Sequence, residues 1–251
     1  YRRRLEEYVK AECIDPATIS VQEEQVVWDD IVRDNMYVIC NTPMAVGITR
    51  RTLFGFRNVD RKANIKNEQL ITRASSDQEA LVKDLKSVGF WKGNTSKQMI
   101  QFNAVVGNPP YQGSARVQLY PTFYKLSQKL GNIATLIFPT GWQKPCAPTA
   151  KGLFKMNNEE TKADNQIVFI DNKHDVFPGI SGANEINVIL WKKGFDNGYG
   201  GKQMLYTDGQ NPKLVKLQWI QTGKGKPEAI RELELKVKTK EGTFFKSMSE
   251  F

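Results

Sequence analysis

Apolar residues recur in this chain at two spacings, and the alternation between them predicts helices interleaved with short strands. Leu5, Tyr8 and Val9 sit at helical spacing among the charges of the opening YRRRLEEYVK, which predicts a helix. Asp15 and Pro16 open a loop or a second helical stretch that runs to Trp28 and Val32. Met36 to Cys40 (MYVIC) is a short apolar strand. Asn41 and Thr42 then offer a cap, and Pro43 suits a first helical position, so a helix is predicted from Met44 to about Phe54. Residues 64–76 are ambiguous, with 69–72 read as extended. Residues 77–88 (DQEALVKDLKSV) are amphipathic, with Asp77 as the N-cap. A strand precedes Asn108. Leu119, Phe123, Leu126 and Leu130 then mark a helix, followed by a strand over 132–138 that Pro139 closes.

Beyond Pro139 the pattern predicts a helix over 149–157, strands over 166–170 and 186–191, a strand over 213–220 and a helix over 228–238. Strands alternate with helices up to about 170. That order predicts an α/β fold with a mostly parallel sheet covered on both faces. Short loops between the later strands predict an antiparallel edge. The expected division is a core over 1–197 and a C-terminal extension over 198–251, read as the start of a target-recognition region.

Composition narrows the partners. The 251 residues carry a formal charge of +9, which favours polyanions, though a merely basic soluble protein would show the same excess. No apolar run approaches the roughly 18 residues that span a bilayer. The cysteines, Cys13, Cys40 and Cys146, are far apart, which gives no metal-ligand spacing and fits a reducing cytoplasm.

The segment that carries chemistry is 102–112 (FNAVVGNPPYQ), an apolar strand that stops at Asn108, Pro109, Pro110 and Tyr111. Both prolines fix φ and remove ladder donors, and each restrains the residue before it. Asn108 is thereby held on a stiff backbone at a strand's carboxyl end, where α/β proteins bind ligands. An exocyclic aromatic amine is a poor nucleophile because its lone pair is delocalised into the ring. The Asn108 side-chain oxygen and the Pro109 carbonyl could accept its two N–H bonds out of the ring plane and hold it pyramidal. Tyr111 could stack on the base, typically worth about 1–3 kcal/mol. The plainer reading is a strand ending in a Pro-Pro turn with Tyr111 packed as a lid.

Asn108 to Tyr111 resembles the catalytic motif of amino-group methyltransferases that use S-adenosylmethionine. These include DNA adenine-N6 methylases and enzymes that methylate a protein glutamine. Three flanking features favour the adenine methylases of restriction-modification systems, including fused methylase-endonucleases. They are the basic loop from Gly113 to Arg116, the segment Pro139 to Trp142 after the next strand, and Asp175 to Gly179 (DVFPG) before the strand 186–191. The resemblance covers roughly 36–193. It implies a Rossmann-like S-adenosylmethionine-dependent core with a mixed, mostly parallel sheet, acting on a flipped adenine in double-stranded DNA. Among candidate DNA contacts, Arg116 lies in the basic loop, and Lys144, Lys151 and Lys155 follow the next strand on the same side as Asn108, which suits backbone contacts; Trp142 could flank a flipped base or pack in the core.

The cofactor side departs from the family pattern. No Gly-rich loop precedes the second-strand segment, so the chain reads as starting just past that loop and lacking the first strand. Cys40 stands where an acidic residue grips ribose, beside Asn41, and Asn94 stands where an acidic residue meets the cofactor adenine. Each exchange removes a charge-assisted acceptor, so weak or no binding of S-adenosylmethionine by this chain is expected. Two origins follow: a piece of a longer restriction-modification polypeptide, which is favoured, or a relative kept only for DNA binding. Action on RNA or protein glutamine is the remaining alternative. His174 reads as a locally bonded loop residue, and 198–202 (GYGGK) as a glycine turn without phosphate-loop spacing.

Overall fold

The computed structural model describes residues 1–55, 63–113, 117–143, 156, 166–171, 186–195, 203–207, 212–218 and 231–234. It divides into two compact units, Tyr1–Ile100 and Gln101–Phe251. The expected division near 197 falls inside the second.

The first unit contains α1 (Arg2–Ala11), α2 (Val21–Asn35), β1 (Tyr37–Cys40), α3 (Pro43–Phe54), β2 (Asn64–Asn67), α4 (Leu70–Ser76), α5 (Gln78–Leu85) and α6 (Val88–Lys92). Local chemistry sets these boundaries. Ser20 and Glu23 form a capping box at the start of α2. The Thr42 hydroxyl accepts from the Ala45 N–H and Pro43 fills the first turn of α3. Asp77 caps α5 through the Ala80 N–H. β1 and β2 run parallel with Tyr37 opposite Asn64 and Cys40 opposite Asn67, so β1, α3 and β2 form a βαβ unit. Asn64 is buried, and its amide donates to the carbonyls of Arg33 (2.8 Å) and Met36 (3.3 Å), which satisfies acceptors at the end of α2. Val27, Val32, Phe54, Ile65, Leu81 and Trp91 are buried in this unit. Residues 70–72, expected to be extended, belong to α4 instead.

The second unit holds β3 (Phe102–Gly107), α7 (Tyr120–Leu130), β4 (Gly131–Pro139), β5 (Ile167–Asp171) and β6 (Ile186–Lys192). The strand order is β3-β4-β6-β5. β3 and β4 are parallel and joined through α7, a second βαβ unit, while β6 runs antiparallel to both β4 and β5. This is the expected α/β class with a mixed sheet. Alternate residues of β4 (Ala134, Leu136 and Phe138) are buried, and α7 covers them with Tyr120 and Tyr124. Phe138 stacks on Tyr120 at 5.1 Å between ring centroids and meets Tyr124 edge-on at 6.1 Å. Gly131 begins β4 where a Cβ would lie 2.9 Å from a Val105 methyl, so the turn out of α7 leaves no room for a side chain.

A three-stranded antiparallel sheet follows, of β7 (Gln203–Thr207), β8 (Pro212–Gln218) and β9 (Arg231–Glu234). β8 is the strand expected over 213–220. β9 replaces the helix expected over 228–238: its four residues pair with β8, from Val215 opposite Glu234 to Gln218 opposite Arg231. The helix expected over 149–157 lies outside the described residues except for Met156, which is buried. Among the described residues no helix is long and apolar enough to cross a membrane.

Candidate functional site

The site is built where two parallel strands end side by side. Gly107, the last residue of β3, is in register with Leu136 of β4. Asn108 therefore leaves the sheet at the same end as Pro139, which closes β4. A 3₁₀ turn over Thr140–Gln143 follows Pro139. Asn108 is exposed and Pro109 behind it is buried, with Pro110 and Tyr111 half-buried. An exposed amide thus stands on a backbone clamped both by ring closure and by burial of the next residue.

Tyr111 is held from two sides. Its ring packs against the core cluster that contains Tyr120, Tyr124, Phe138 and Trp142. Its carbonyl accepts from the Leu119 N–H at 3.0 Å, and the Gly113 N–H donates to the Val117 carbonyl at 2.8 Å. Gln112 and Gln118 form an isolated antiparallel bridge, so the chain leaves Tyr111, turns and returns to the start of α7. The Tyr111 hydroxyl is buried without a hydrogen-bond partner. Burial pushes its pKa up, and the Asn108 side chain lies near enough to pull weakly the other way, although no bond of ordinary geometry forms.

Trp142, expected as a DNA contact, is corrected by its position. Its side chain is 0% exposed and belongs to the core cluster, so the packing alternative describes it and it has no exposed face to lay against a flipped base. The 3₁₀ turn swings it inward as β4 ends. Arg116, Lys144, Lys151 and Lys155 lie outside the described residues, as do His174 and the segment 175–179.

The expected cofactor residues lie in the first unit. Cys40 ends β1 with its side chain buried, and its sulfur lies 3.5 Å from the Thr49 hydroxyl. The Cys40 carbonyl is also occupied, accepting from the Asn67 amide and the Glu68 N–H, both at 3.0 Å. Asn41 is exposed. The Asn94 side-chain oxygen accepts from the Ser96 N–H at 3.0 Å, which closes its own loop. A buried thiol and an amide already engaged do not fit the gripping of ribose hydroxyls or an adenine amine by carboxylates.

One residue escaped the sequence reading. Asn187 in β6 is 0% exposed, and neither its side-chain oxygen nor its nitrogen has a partner. The signal was available: it is the one polar residue in the otherwise apolar run 186–191 (INVILW).

The Eco57I restriction-modification methylase family matches residues 34–177. No match was found among curated proteins. Among solved structures, the chain is similar to a type I restriction-modification methyltransferase subunit from Streptococcus thermophilus, with 14% identity and a TM-score of 0.43 over 68% of this chain and 35% of that one. It is also similar to the type I restriction enzyme EcoKI M protein, with 12% identity and a TM-score of 0.45 over 80% of this chain and 40% of that one. A third likeness is to a chain from a type I restriction-modification complex, with 11% identity and a TM-score of 0.45 over 82% of this chain and 38% of that one. This chain therefore spans well under half the length of the solved structures it matches, and likenesses this distant carry no argument about the site.

Proposed function

The chain belongs to the Eco57I restriction-modification methylase family, and from that premise we propose that it methylates the exocyclic amine of adenine in DNA. The observation that carries the reading is the exposed amide of Asn108, mounted at the end of β3 on a turn whose next residue is buried. The side-chain oxygen of Asn108 and the carbonyl of Pro109 accept the two N–H bonds of adenine N6 and hold the nitrogen pyramidal, with its lone pair directed away from the ring. These acceptors need no reorganisation as positive charge develops on nitrogen, so they lower the barrier electrostatically rather than by taking the proton first. Tyr111, seated on the core through its buried hydroxyl edge, offers its half-exposed ring to the base face. The base reaches these groups by leaving the duplex stack. The formal charge of +9 supports a polyanionic substrate.

S-adenosylmethionine is the methyl donor that the resemblance implies. The buried thiol of Cys40 and the Asn94 oxygen engaged by Ser96 do not fit its binding, so what this chain's residues are assigned concerns the amine and the base. Tritium transfer from labelled donor to duplex DNA, with N6-methyladenine identified in the digest, tests the reading. Transfer to RNA or to a protein glutamine and none to DNA would overturn it. The buried thiol at Cys40 favours one second reading, a silent DNA-binding module. That reading requires salt-sensitive DNA binding with no transfer at any donor concentration.

A further inference from the structure

Among the described residues, the second unit holds the buried amide of Asn187 and, on the half-buried Tyr111, a buried hydroxyl, neither with a hydrogen-bond partner. Asn187 is directly opposite Phe138 in the antiparallel β4–β6 ladder, so its side chain lies on the same sheet face as Phe138, Leu136 and Ala134. Ile189 and Trp191 follow on that face, opposite Leu136 and Ala134. Tyr111 packs against the cluster these residues form, and its hydroxyl is buried and unpartnered. A buried amide left alone is costly, and an apolar residue of the same shape would serve the packing better. A polar residue at this one place in β6 therefore points to a polar partner within the core, and the Tyr111 hydroxyl is a group of matching need. The amide supplies a donor and an acceptor, as does the hydroxyl.

We propose that Asn187 is a positioning residue for Tyr111, linked to its hydroxyl through one buried water, and that this link sets the tilt of the ring beside Asn108. A water in a polar core site requires two or more such partners, which the amide and the phenol provide. Asn187 touches neither base nor donor; it acts through Tyr111. The inference rests on the reading of Tyr111 as the aromatic beside the target amine. Its primary readouts are stability and titration, so it can fail while that reading stands, and the reverse.

The test is a double-mutant cycle on the full chain with Asn187→Leu, Tyr111→Phe and both together, followed by urea unfolding. Each single change is expected to lower the folding equilibrium constant by about tenfold. The double change should cost clearly less than the product of the two. Ile189→Val, on the same face, should combine with Tyr111→Phe without coupling. Ultraviolet titration, with Tyr111→Phe as the subtraction, should find the Tyr111 phenol titrating higher in Asn187→Leu, because the phenolate loses its hydrogen-bonded link. A residue that only fills the core would leave that titration unmoved. If Asn187→Leu does not fold, Asn187→Ser retains a hydroxyl for the water and should keep part of the coupling. An Asn187→Leu protein more stable than wild type, an additive cycle, or an unchanged phenol titration would each overturn the proposal.

Discussion

Replacing Gly89 by alanine tests how tightly the loop that carries Asn94 is built. Gly89 lies in the first turn of α6, and its φ is not in the left-handed region, so propensity alone favours alanine by at most about 1 kcal/mol. Space decides otherwise. A Cβ at this position would lie 2.5 Å from the Asn94 carbonyl oxygen and 2.7 Å from that of Ser96. Both are backbone atoms, and the loop is fixed by Asn94 N–H to Gly89 (3.1 Å), Val88 N–H to Gln98 (2.9 Å) and Ile100 N–H to Lys86 (2.6 Å). Overpacking of this type costs about 1–3 kcal/mol, so after the propensity gain Gly89→Ala should be neutral to destabilising, by up to about 2 kcal/mol net. Gly47 is the internal control. It lies within α3 with nothing inside 4 Å of its Cβ position, and Gly47→Ala should stabilise by about 0.5–1 kcal/mol. Urea midpoints followed by far-ultraviolet circular dichroism read both. Stabilisation by Gly89→Ala equal to that by Gly47→Ala would refute the loop packing.

Three further outcomes are expected. Hydrogen bonds from the Ser20 hydroxyl (2.6 Å) and then the Ser20 N–H (2.7 Å) hold the Glu23 carboxyl below its ordinary range. That contribution to stability is full above about pH 5 and is lost as pH falls below about 4. The stability gap between wild type and Ser20→Ala should therefore shrink on acidification, and a gap that widens would contradict the capping box. Trp142→Ala should cost about 3–5 kcal/mol, while Trp142→Phe leaves DNA affinity unchanged in filter binding. Loss of DNA affinity by Trp142→Phe at an unchanged urea midpoint would restore Trp142 as a DNA contact. Calorimetric titration of the chain with S-adenosylmethionine should give no heat of binding at micromolar concentrations, and a micromolar isotherm would show that Cys40 and Asn94 do not exclude the donor.

Local rules made much of the fold legible. Thr42 with Pro43 and Asp77 with Ala80 are cap signatures that depend on neighbouring residues only, and α3 and α5 begin where those signatures stand. The strands over 102–107 and 131–139 were readable as apolar runs cut by proline or glycine. What failed depended on distant partners. The helical spacing of α5 runs on to Val88, but the helix stops at Leu85 because Ser87 bridges to Met99 and the Lys86 carbonyl accepts from Ile100. β9 contains residues of good helix propensity that pair with β8 instead. The amide of Asn108 was legible at the site because two prolines restrain it locally. The choice between core and base contact for Trp142, and the solitary amide of Asn187, were not, since both depend on a core assembled from separate strands.

The central claim is that Asn108 acts on the amine rather than on DNA binding. Its most direct test pairs two measurements on wild type and Asn108→Ala at millimolar labelled S-adenosylmethionine: methyl transfer to adenine N6, and affinity for the same duplex. The account predicts a loss of about 10²–10³-fold in transfer rate with affinity unchanged. Equal transfer by the two proteins, or a loss of transfer fully matched by a loss of DNA affinity, would contradict it.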